Sequence, residues 1–354
     1  PVLERSKAAK FFEKNRGAPS ERKLNVFLNT YPPVFCIPLP MKNPAKIIIV
    51  TFLSSLGCAA DFEATQPAEF ARCIPAEARV TKLAGGFGFT EGPAWIKEGG
   101  YLIFSDIPRD EIRKWSSSGG VATFRAPSRN TNGNTIDLEG RILSCEHSGR
   151  RVARLEKDGT LRTLVDSFEG RKLNSPNDVV VKSDGTLWFT DPEYGLKTDP
   201  ATKQKVGKEQ PGNFVYRHDP RTGRTTAIAR DFDQPNGLAF SPDERKLYVA
   251  DSGKPRHIRA LEIAADGTVS GGAVFCTLDK GAPDGIRVDT AGRVWTSSGD
   301  GVQIFGPDGK RIGRIILPEA AANLCFGGPD GRTLFMTART SLYAVPTAVA
   351  GASR

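Results

Sequence analysis

The chain has 354 residues, 39% of them hydrophobic, with 37 Gly and 25 Pro; it can bury one large core or two ordinary ones, and its turn formers and short β-branched runs point to an all-β fold. The formal charge of +9 raises nucleic acid as a partner, but residues 1–58 carry nine Lys/Arg against three Asp/Glu, which leaves only +3 for the rest. Both signs are mixed there, with no basic helix or aromatic-basic stripe, so nucleic-acid binding is disfavoured.

Residues 1–40 carry no assignable element and read as an upstream or unstructured segment. Met41 then opens "MKNPAKIIIVTFLSSLGCAADFE", with two lysines, an apolar run from Ile47 to Leu56 and small residues at Gly57–Ala60. These are the parts of a secretory signal over 41–60, and the run is short for a bilayer span. "SLGC" is similar to a lipobox ending at Cys58, although Ser55 stands where Leu is preferred. A lipid anchor at Cys58 and cleavage near Ala60 into a soluble export both stay open, as does a buried helix at the start of a domain. Export, to the periplasm or beyond, is the expectation. Residues 61–78 read as a linker, 79–347 as the folded domain and 348–354 as a tail.

Within the domain two phrases recur. One is a turn, four or five apolar residues and a small or acidic end: "GGYLIFSD" to Asp106, "EGRILSCE" to Glu146, "DGTLWFTD" to Asp191, "ERKLYVAD" to Asp251, "AGRVWTSS" to Ser298 and "GRTLFMTA" to Ala338. Upstream of each stands "TEGPAW", "TNGNTI", "SPNDVV", "QPNGLAF", "APDGIRV" or "AANLCFG", and the gap from Glu91, Asn132, Asn177, Asn236, Asp284 or Asn323 to its partner is always 14 or 15 residues. A unit of several short strands repeated six times is the signature of a six-bladed β-propeller. The geometry of propeller families, rather than the repeat, makes Val80–Leu83 the expected outer strand of the last blade, and "EYGLKTDPATKQKVGKEQPG" reads as a surface loop.

In a propeller the strand nearest the axis runs towards one mouth of the channel, so the six upstream residues form a ring. Carboxylate and carboxamide oxygens suit a hard cation such as Ca²⁺, and the register holds no His or Cys for zinc. Glu91, Asn236 and Asp284 are the prime ligand candidates, since unpaired carboxylates converging on an axis are costly. For Asn132 and Asn323 capping of strand-entry turns is an equal alternative.

The ordered set "TEGPAW", "NSPNDVVV", "DPEYG", "QPNGLAFSPDERKLYVADSG", "APDGIRVD" and "NLCFGG" resembles the senescence marker protein, gluconolactonase and luciferin-regenerating-enzyme family from about Leu83 to Val345. "LSCEHSGRRVARL" and "GKPRHIRALEI" resemble its bacterial gluconolactonase branch. The resemblance implies a catalytic divalent cation, usually Ca²⁺, held by Glu91, Asn236 and Asp284. It makes Asn177 a fourth ligand, as in diisopropylfluorophosphatase, or a substrate or water contact. Animal members carry an Arg two residues before that Asn to hold the sugar acid, where this chain has Ser175.

The implied chemistry is opening of a sugar-acid lactone, with the cation as Lewis acid and Asp284 as both ligand and base for water. His147 is a candidate to polarise substrate or shuttle a proton, or else pairs with Glu146. Glu146, His147, Asn132 and Arg150 are candidate substrate contacts, and either Arg150 or Arg151 should face solvent. His218, in "RHDPRTG", reads as surface, and His257 stays undecided. No Ser nucleophile elbow is evident. Cys73, Cys145, Cys276 and Cys325 show no metal spacing, and a disulfide is compatible with export; for Cys145 and Cys325, at apolar strand positions, buried thiols are the default. A phosphotriesterase on the same site, or a non-enzymatic propeller using the ion as glue, remains the alternative function.

Overall fold

The computed structural model describes residues 61–352 apart from 201 and 204. The expected signal at 41–60, the segment 1–40 and the candidate anchor Cys58 lie outside these residues.

Short alternating strands joined by turns build seven antiparallel sheets among the described residues, six of them the blades of a propeller and one the ribbon Ser167–Phe168 with Arg171–Lys172. Blade one holds Thr90–Ile96, Tyr101–Asp106, Glu111–Ser116 and Gly120–Arg125 from axis to rim, and blades two to four repeat the order through Thr277. Several hairpins turn on Asp-Gly: the side chains of Asp158, Asp184, Asp266 and Asp308 each accept the N–H two residues on at 2.8–3.1 Å, ahead of a left-handed Gly. Blade six is Ala321–Gly327, Thr333–Ala338 and Ser341–Pro346, completed at its rim by Thr81–Gly85. The sequence expectation of a closing strand at Val80–Leu83 is therefore borne out to within two residues. The innermost strand of blade six neighbours that of blade one, which closes the ring.

A blade is apolar on both faces and must be covered on both, and the buried side chains accordingly form six clusters, one per blade interface. Trp188 with Val215, Leu238 and Val249 fills the joint between blades three and four, and Phe104 with Phe335 and Leu342 that between six and one.

Two expectations about the flanks need correction. Residues 61–78 are no linker: Phe62–Ala64 adds a fifth strand to the rim of blade five beside Arg311–Ile316, and the short helix Pro67–Ala71 follows. Phe70, Cys73, Ile74 and Ala78 are buried in the cluster between blades five and six, because that interface would otherwise expose apolar surface. Nor is 348–352 a free tail, since Thr290 N donates to Ala350 O and Ala352 N to Val288 O, at 3.0 and 2.8 Å.

His218 is also not a surface residue. It lies within the strand Asn213–Asp219, is buried, and its Nδ1 stands 3.0 Å from Thr225 Oγ1. His257 begins the strand His257–Ile263 and is half-buried. The four cysteines are buried free thiols, and burial pushes Cys276 and Cys325 up to about 12.

Candidate active site

The six ring positions do stand at one end of the innermost strands. Glu91, Asn132, Asn177, Asn236 and Asn323 are buried and Asp284 is half-buried. Neighbouring blades hold them by their backbone: Asn132 O accepts from Ser105 Oγ and Asn236 O from Thr190 Oγ1, both at 2.7 Å. Asn177 O accepts from Gly133 N at 2.8 Å and Asp284 O from Gly237 N at 3.0 Å. With the carbonyls engaged sideways, these side chains are held by blade-to-blade backbone bonds, including Asn177 and Asp284, which stand two residues before Val179–Val181 and Ile286–Val288.

This interlock explains why Gly follows the ring residue in "EG", "NG", "NG" and "DG". A Cβ on Gly92 would lie 2.1 Å from Asn132 O, and one on Gly237 2.2 Å from Asp284 O. Blade three departs, placing Asp178 after Asn177. Asp178 is fully buried, and Arg287 Nη1 is the cation beside it at 3.6 Å. Sequence reasoning did not assign Asp178 to the site; the sequence signal was a carboxylate where four other blades have Gly.

Three carboxyls therefore share one region with one guanidinium. Glu91 Oε2 accepts from Gly92 N at 2.7 Å and Asn323 Nδ2 at 2.9 Å, yet burial pushes its pKa up to about 7. Burial, then the charges of Glu91 and Asp178, hold Asp284 well above the carboxylate range, while the Asn236 side chain bonds to it. Asp178 is also raised by burial, with Arg287 and Asn323 opposing. Asn323 thus braces the carboxyls.

His147 is buried, with Nε2 3.3 Å from Asn132 Nδ2. Burial lowers its pKa to about 4, so at neutral pH it is an uncharged imidazole that accepts from the Asn132 amide. Asn132 Oδ1 is buried with no protein partner.

Glu146 and Arg150, expected as substrate contacts, are committed elsewhere. Glu146 is fully buried and paired with Arg125 at 3.1 Å and Arg151 at 2.6 Å, so it does not bond His147 either. Its counterparts bind backbone instead: Asp191 accepts Asn174 N at 2.8 Å, and Asp251 accepts Asp233 N and Gln234 N at 2.9 Å. Arg150 Nε donates to Leu173 O at 2.7 Å and Nη1 faces Glu209 at 3.3 Å. Ser175 Oγ donates to Pro192 O at 2.7 Å and accepts from Gly195 N at 3.0 Å, tying down the loop that follows Asp191.

Among the described residues no group of three or more His, Cys, Asp or Glu is arranged to hold a metal ion. A ligand set drawn from this ring would mix two carboxylates with amide oxygens.

Residues 89–340 match the family model described as SMP-30/gluconolactonase/LRE-like region. The chain belongs to this family. Among its relatives, a gluconolactonase of Zymomonas mobilis is 32% identical over 294 residues, covering 76% of this chain and 81% of that protein. The pentonolactonase XacC of Haloferax volcanii is 27% identical over 70% of this chain and 80% of its own. A solved gluconolactonase structure from Xanthomonas campestris superposes with a TM-score of 0.76 at 35% identity, covering 82% of this chain and 96% of that one. The family match spans all six ring positions.

Proposed function

We propose that this protein is a metal-dependent lactonase that opens a sugar-acid lactone, gluconolactone being the reference substrate. The observation that carries the reading is the convergence of Glu91 and Asp284, two carboxyls that burial raises, Asp284 also through the charges of Glu91 and Asp178, beside amide oxygens of which Asn132 Oδ1 has no partner. Such a set fits a hard divalent cation, most simply Ca²⁺, whose charge would relieve the repulsion. Glu91, Asn236 and Asp284, with Asn177, are the residues that would hold it. When bound, the ion supplies Lewis-acid polarisation of the lactone carbonyl. The gluconolactonase and pentonolactonase relatives support the substrate class.

The chain's own residues supply the proton chemistry. Asp284, steadied by Asn236, takes a proton from the attacking water. As the ring C–O bond breaks, the departing oxygen needs one proton, and Asp284 returns the one it took. Asn132 Oδ1 is free to accept a substrate hydroxyl, with neutral His147 orienting its amide. His147 is therefore a positioning residue rather than a shuttle.

The test is glucono-1,5-lactone hydrolysis by wild type and Asp284→Asn across a cation titration with chelator controls. Chelation should abolish turnover, Ca²⁺ or another hard divalent ion should restore it, and Asp284→Asn should stay down by about 10²-fold or more in kcat at saturating ion. Full activity of metal-free protein would sink metal dependence, and rescue of Asp284→Asn to wild-type kcat would remove the base. We place the mature enzyme outside the cytoplasm, on the signal pattern of residues 41–60. Native protein retaining residues 1–40 by mass spectrometry would refute that placement.

A further inference from the structure

Phe89 and Tyr194 are the exposed large aromatic side chains among the described residues. Both stand at the end of the propeller that carries the ring: Phe89 two residues before Glu91, Tyr194 in the loop after Asp191. Phe89 is 37% exposed and Tyr194 45%.

The Tyr194 loop is clamped from both sides. Gly195 presses on blade two so closely that a Cβ there would lie 2.5 Å from His147 Cγ and 2.7 Å from Ser175 Cβ. His147 in turn contacts Asn132. On the other side the Tyr194 side chain lies beside that of Ser252, near the charges of Asp284 and Asp251. Ser252 Oγ donates to Pro283 O at 2.6 Å, the residue before Asp284. Glu193 N and Gln234 Oε1, at 3.5 Å, add a tie to blade four. Tyr194 thus bridges from the Asn132 side of the ring to the Asp284 side, with nearly half its surface open to solvent.

An open aromatic ring beside a polar cage has the character of a sugar-binding wall: its face takes the C–H surface of a pyranoid or furanoid ring, and its phenol can bond a hydroxyl. The Tyr194 phenol can both donate and accept a hydrogen bond. A lactone without hydroxyls would use the cage but gain little from this wall.

We propose that Tyr194 is a specificity-determining residue of the channel mouth, selecting lactones that carry ring hydroxyls over bare lactones. The inference rests on the lactonase reading. Its test uses full-length, cation-loaded wild type, Tyr194→Phe and Tyr194→Ala on glucono-1,5-lactone and on δ-valerolactone, the same ring without hydroxyls. The ratio of the two kcat/KM values should fall roughly fivefold for Tyr194→Phe and tenfold or more for Tyr194→Ala, through KM for the sugar lactone. Calcium affinity by titration calorimetry should hold, a readout that a collapsed mouth would move. An unchanged ratio, with both lactones slowed equally or neither slowed, overturns the assignment while the lactonase reading stands. Wild type inactive on both lactones with cation present overturns the lactonase reading and this inference with it.

Discussion

Replacing Glu91 by Gln should make the metal-free protein more stable at pH 8, although it removes a group from the heart of the site. Glu91 is 2% exposed, and burial moves its pKa from 4.5 to about 7. The unfolded chain ionises this group near 4.5, whereas the folded chain resists until about 7. Its contribution to stability is therefore full below 4.5 and lost as pH rises through 7, reaching a deficit of ~3 kcal/mol at pH 8. Most of that develops between pH 5 and 8. Gln keeps one oxygen for Gly92 N and Asn323 Nδ2 and never ionises. In chelator at pH 8, Glu91→Gln should melt roughly 5–10 °C above wild type, and the gap should largely close at pH 5. Comparing the two proteins cancels the titration of His147, while Asp284, whose carboxyl the Glu91 charge raises, should ionise more readily in Glu91→Gln and widen the gap. Added Ca²⁺ should reverse the order, raising wild type far more. If Glu91→Gln melts below wild type at pH 8 without metal, the strained-carboxyl account of the site is wrong.

Three further outcomes are expected. Asn236→Ala should lose activity through cation affinity, so that excess ion restores much of its rate; a kcat deficit persisting at saturation would count against a purely ligating role. Asp251→Ala strips the acceptor from two backbone N–H groups at the entry to blade four and should cost about 2–3 kcal/mol in urea unfolding. Phe70→Ala should destabilise by about 3 kcal/mol, as for a core aromatic. Unchanged unfolding of Phe70→Ala would mean the 61–78 segment is peripheral after all.

The blades were legible because each must repeat the same pleat, and the 14–15 residue spacing is the length of the hairpin formed by the two inner strands of one blade. The ring residues were legible for the same reason. Asp178 was not, because its neighbour in register is usually Gly, and Gly is required by a close approach between blades that no single-strand pattern displays. Glu146 misled through register: it occupies the place of Asp191 and Asp251, but Arg125 and Arg151 converge on it from adjoining strands. His218 was hidden by the turn residues after it, although its own strand continues to Asp219. Phe62–Ala64 is too short and too polar to announce a strand; pairing with Arg311–Ile316 creates it.

The closing strand Thr81–Gly85 pairs with Ser341–Pro346, and the Asn323 amide reaches Glu91 across 232 positions of chain. During synthesis the first carboxyl of the cage emerges long before its brace, and blade six cannot be completed until the last strand arrives. Contacts of such long range also make folding slow. A nascent or truncated chain therefore holds neither a sealed ring nor an assembled cage. Activity, on this reading, is a property the polypeptide acquires all at once, when Thr81–Gly85 meets Ser341–Pro346.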